Sequence, residues 1–139
     1  MRWDLVQGKK AIIPAMETVK QGGSIILLAE CPDGWGAEGT FKEWLLTKTP
    51  EEVVRDVKKR EMFSLGAHGA YILAKPIVQK QATVIIITNE NLVRQLQGSY
   101  IHAVTTVEEP MNLAHRHCTA SEPTYLAIKS TRRLIVELV

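Results

Sequence analysis

Apolar residues along this chain fall into two kinds of run, and the difference between them lays out the fold. Residues 24–29 form an unbroken apolar stretch after Gly22 and Gly23, and residues 83–88 repeat it as Thr-Val-Ile-Ile-Ile-Thr. A strand with one wet face alternates, whereas a strand that is apolar throughout is covered on both faces, the habit of parallel sheets. Shorter runs at residues 100–104 and 124–128, the latter after Pro123, predict a third and a fourth strand. Residues 134–139 read as a last strand or a tail.

Between these runs the apolar spacing is helical. Ile12, Ile13, Met16 and Val19 predict a helix over residues 11–20, with Pro14 in its first turn or kinking it, and Gly22 at its end. Thr40 and Glu43 form a capping box for a short helix through Leu46. Thr49, then Pro50, Glu51 and Glu52, marks the next start, and the helix should run to about Met62 while burying Val53, Val54 and Val57. Gly66 and Gly69 bracket His68 in a loop before a helix from Ala70 to about Val78, with Pro76 stopping or kinking it. Asn89 caps a helix through Gln97 that ends at Gly98, and Thr105 with Glu108 makes a capping box for a helix from Val107 to about His117. Helices alternating with buried strands predict one α/β domain over residues 1–139, a Rossmann-like three-layer α-β-α arrangement with a mostly parallel sheet of about four strands.

Composition narrows the function without naming it. The 139 residues carry a net charge of +2, with 45% hydrophobic and 23% charged residues, which is ordinary globular usage and gives no nucleic-acid footprint. Lys58-Lys59-Arg60 and Arg132-Arg133 are short basic runs that a solvated face explains. No apolar run is long enough to span a bilayer, and Met1-Arg2-Trp3-Asp4 does not open a signal peptide. Cys31 and Cys118 lie far apart, with no C-x-x-C spacing, so neither a zinc site nor a redox dithiol is predicted, and a buried free thiol at Cys31 fits a reducing, cytoplasmic setting.

Candidate chemistry is sparse. Gly34, Gly36 and Gly39 spell G-x-G-x-x-G after the first strand, but the acidic partner of a dinucleotide site is absent, and a tight turn explains the glycines without a ligand. His115 and His117, two apart, point to different faces of a helix and cannot share a metal, and His102 falls within a strand. His68, between two glycines, is either presented to a ligand or simply exposed. Gln7 and Lys10 stand three apart and share a face if their segment is helical; an amide and an ammonium there either bind a carboxylate or face solvent. No nucleophile stands beside a base, and there is no G-x-S-x-G, P-loop or H-E-x-x-H.

Taken in order, several segments resemble the C-terminal domain of the nickel-pincer lactate racemase family. They are Gln7-x-x-Lys10, Val19-Lys20-x-Gly22-Gly23, the run from Ile25 to Glu30 with Cys31-x-Asp33-Gly34-x-Gly36, Phe41-x-x-Trp44, Pro50-Glu51-Glu52 and Leu65-Gly66-x-His68-x-Ala70-Tyr71. The resemblance extends to about Tyr125. It implies racemisation or epimerisation of a small α-hydroxy acid, by hydride removal and return on a nickel pincer nucleotide. An N-terminal domain or subunit supplies the catalytic histidines and holds that cofactor, so none is expected on this chain alone, and the isolated chain should be inactive. Gln7 and Lys10 align with a glutamine and a lysine that orient and neutralise the substrate carboxylate, and His68 falls near an aromatic position beside the substrate. Val6 stands where the lactate racemase has a tyrosine, and no proline-rich ending follows Ile128, so the hydroxy acid is left open. A start just before Gln7 fits an excised or separately encoded closing domain; the alternatives are a stand-alone binding or interaction domain and, last, a nucleotide-binding domain.

Overall fold

The computed structural model describes residues 3–36, 39–59, 66–118, 121 and 123–128. Three parallel strands lie in the order of the chain: β1 (Ser24–Leu28), β2 (Thr83–Ile87) and β3 (His102–Val104). Ile25 pairs with Val84 and Leu27 with Ile86, while Ile86 also pairs with Ala103. Side chains alternate across a strand, so these five residues share one face. That face builds the main core with Leu73, Ala70, Phe41 and Leu45. Ile85, fully buried but outside that cluster, points to the other face. Covering β2 on both faces is what its unbroken apolar run requires.

The helices are α1 (Leu5–Gly8), a 3-10 turn (Lys9–Ala11), α2 (Ile12–Thr18), α3 (Gly39–Thr47), α4 (Pro50–Lys58), α5 (Ala67–Lys80), α6 (Glu90–Gln95) and α7 (Glu108–His117). The core-side face takes α2 against β1 and α5 against β2, with α3 and α4 packed on α5, while α7 packs on β1 and β2. At α4 the capping box forms in full: the Thr49 hydroxyl accepts from the Glu52 amide at 3.2 Å and the Glu52 carboxylate accepts from the Thr49 amide at 2.8 Å. Asn89 likewise accepts from the Leu92 amide at 3.0 Å to start α6. No helix among the described residues is long and apolar enough to cross a membrane.

Four expectations are corrected. The expected fourth strand, at residues 124–128, is irregular and largely exposed, so the sheet has three strands among the described residues. Its sequence is strand-like, but β1 is not paired to it, and propensity without a partner does not make a strand. α5 starts at Ala67 rather than Ala70 and runs through Pro76 to Lys80. Proline there forfeits one backbone bond, and its own carbonyl accepts from the Gln81 and Ala82 amides that close the helix. At α7 the Thr105–Glu108 box does not form, because the helix begins two residues late for it, with Val107 at the N-cap and no side-chain cap. α4 ends at Lys58, short of Met62, which with residues 134–139 lies outside the described residues.

Candidate functional site

The segment before the sheet is built around Asp4. Its carboxylate accepts from the Gln7 amide at 2.9 Å as the N-cap of α1, and it is buried because the backbone of Gly36 lies directly against it. A Cβ at Gly36 would come within 2.5 Å of the Asp4 side chain. The Leu5 and Val6 amides donate to the Gly34 and Trp35 carbonyls, and Trp35 is buried with its Nε1 donating to Gln95. Gly36 therefore serves close packing on the Asp4 cap of α1, while Gly34, with a φ of +69° and open space at its Cβ position, serves the turn.

Helical geometry then brings Gln7 and Lys10 together. The Lys10 Nζ donates to the Gln7 Oε1 at 2.8 Å, and both side chains are exposed. An ammonium only donates, so it holds the amide oxygen and turns the amide Nε2 away, leaving two kinds of donor side by side. Gln7, Lys10 and His68 line one open cleft with Glu30, Cys31 and Pro32, which follow the carboxyl end of β1. Sites in open parallel sheets form at that end of the strands. His68 is not in a loop: it stands on the first turn of α5, exposed, with its ring stacked on Tyr71 at 6.3 Å between centroids.

Lys9 escaped the sequence reading. It is 5% exposed, and its Nζ donates to the Val6 carbonyl at 2.7 Å and lies 4.8 Å from the centre of the Phe41 ring. Burial lowers its pKa from 10.5 to about 8, with Lys10 adding to the effect and Asp4 opposing it. The signal was available. Leu5, Lys9, Ile12 and Met16 follow a spacing of four, three and four, the buried stripe of a helix, and all four are buried.

Lys9 therefore makes stability depend on pH. Between about pH 8 and 10.5 the unfolded chain holds a proton on Lys9 that the folded chain has released, so stability from this group rises with pH across that window. The rise should be on the order of 3 kcal/mol. Lys9→Met should lose it and, at pH 7, be at least as stable as the native chain, since an apolar stem replaces a buried charge. Urea unfolding of both chains from pH 7 to 10.5 measures this, and a parallel pH dependence in the two would refute it.

The donor set does not fit a metal centre: among the described residues no three His, Cys, Asp or Glu side chains gather to hold an ion. Cys31 is buried, and burial pushes its thiol up, opposed by a hydrogen bond with Thr88, which makes it a poor nucleophile.

The family described as the lactate racemase C-terminal domain matches residues 3–132. The lactate racemase of Thermoanaerobacterium thermosaccharolyticum is 25% identical over 113 residues, taking in 80% of this chain and 26% of that protein. The structure of the lactate racemase apoprotein from that organism matches with a TM-score of 0.74 at 25% identity, over 85% of this chain and 28% of that one. The chain thus spans about a quarter of the length of the relative it matches.

Proposed function

We propose, from the premise that this chain belongs to the lactate racemase C-terminal domain family, that it closes the substrate site of an α-hydroxy-acid racemase or epimerase and binds the substrate carboxylate through Gln7 and Lys10. The observation that carries this is the 2.8 Å contact between Lys10 Nζ and Gln7 Oε1 in an open cleft. Lys10 keeps further N–H donors and a full charge for a carboxylate, and the Gln7 Nε2 adds a neutral donor at a fixed position. Two donors from one turn orient the carboxylate and so set which way the carbinol carbon points. His68, backed by Tyr71, bounds the same cleft and packs against the carbon chain of the acid.

Inversion at the carbinol carbon is assigned to the rest of the racemase. The nickel pincer nucleotide is assigned there too. Gln7, Lys10 and His68 bind, orient and exclude water.

Titrating the isotope-labelled chain with sodium lactate, against sodium chloride at equal ionic strength, tests the carboxylate site. Shifts confined to Gln7, Lys10 and the first turn of α5 are expected, with millimolar affinity and no racemisation by the chain alone. Turnover by the chain alone, or shifts elsewhere, would contradict the assignment.

A further inference from the structure

We propose that Lys9 is a positioning residue: it fixes the turn bearing Gln7 and Lys10 against the first turn of α5, and thereby sets those two donors in register with His68. The Lys9 stem runs from the 3-10 turn into the core, and its ammonium closes back on the Val6 carbonyl, one residue before Gln7. From α3, the Phe41 ring lies under the ammonium. From α5, Gly69 meets the stem so closely that a Cβ there would stand 2.7 Å from Cε and 3.2 Å from Nζ. Gly69 is the residue after His68 and Val6 the residue before Gln7, so a single side chain lies between the backbone positions next to both groups. The charged groups facing Lys9 are Lys10 and Asp4 from its own segment, while α3 and α5 present Phe41 and Gly69.

Packing alone does not account for a lysine at this place. Leu5, Ile12 and Met16 fill the same stripe with apolar side chains, and a buried ammonium loses hydration that one carbonyl and one ring only partly return. What an apolar residue cannot do is donate to the Val6 carbonyl and hold the turn preceding Gln7. A residue that lowers stability while ordering a cleft is the pattern expected of a functional position.

The role rests on the carboxylate reading of Gln7 and Lys10, but it can be tested apart from it. Two variants act on the clasp and leave Gln7, Lys10 and His68 in place. Lys9→Met removes the donor and the charge and leaves Phe41 in place; Gly69→Ala keeps the charge but crowds both the stem and the Phe41 ring, whose Cδ2 would stand 2.9 Å from the new Cβ. Residual dipolar couplings of each labelled chain report the orientation of α1 relative to α5 whatever the charge. Both variants should reorient α1, and lactate affinity should fall about fivefold to tenfold in each, even though Lys9→Met unfolds at higher urea at pH 7. A filler residue would not separate stability from binding in this way. Native couplings in both variants, or native lactate affinity with altered couplings, would overturn the role of Lys9. If lactate fails to bind the native chain, the carboxylate reading falls, and the couplings alone still decide whether Lys9 positions the turn.

Discussion

Lys10→Ala in the complete racemase is expected to lower kcat/KM by about 100-fold, with KM raised and kcat reduced together. The ammonium does two jobs at once. It supplies the charge that holds the carboxylate, which appears in KM, and it holds the Gln7 amide at 2.8 Å, which fixes the angle of approach and appears in kcat. Lys10→Arg keeps the charge and moves the donors, so it should recover KM more than kcat. Steady-state kinetics on the three proteins checks this, and unchanged kinetics in Lys10→Ala would remove the residue from the site.

Phe41→Ala is expected to destabilise the domain by about 3–5 kcal/mol. The ring is 1% exposed and meets Trp35 edge to face at 5.8 Å. It also forms the π face under Lys9, so truncation opens a cavity and removes part of the surroundings of a buried ammonium. Urea unfolding at pH 7 measures the loss. A cost below about 1 kcal/mol would mean the site collapses around the gap and that this junction is not tightly packed.

Part of the fold could be read along the chain because β2 has no wet face, whereas the like run of β1, expected to be covered on both faces, leaves Leu28 70% exposed. Residues 25–29 and 84–87 are apolar at successive positions, and no amphipathic helix permits that. The starts of α4 and α6 were readable for a similar reason, since Thr49 and Asn89 act locally, on amides three residues away. Misreadings occurred where a distant partner decides. Gly69 sits inside α5 because Lys9 and Phe41 occupy the space of its absent side chain, and neither is near in sequence. Residues 124–128 look like a strand, but pairing with β1 is a tertiary event.

The site divides in the same way. Gln7 and Lys10 converge because they are three residues apart on a helical turn, a local fact. That they share a cleft with His68 depends on α5 crossing the start of the chain, which no spacing reveals. Lys9 was visible as period and invisible as chemistry, since a lysine on an apolar stripe reads first as surface.

Grafting this chain onto the lactate racemase of Thermoanaerobacterium thermosaccharolyticum, in place of the quarter it matches, tests the central claim most directly. With cofactor bound, the chimera should racemise or epimerise at least one small α-hydroxy acid, followed by loss of optical rotation. The same chimera carrying Lys10→Ala should lose about 100-fold in kcat/KM. A cofactor-loaded chimera inert toward every α-hydroxy acid offered, or one indifferent to Lys10→Ala, would contradict the assignment of this domain to the carboxylate.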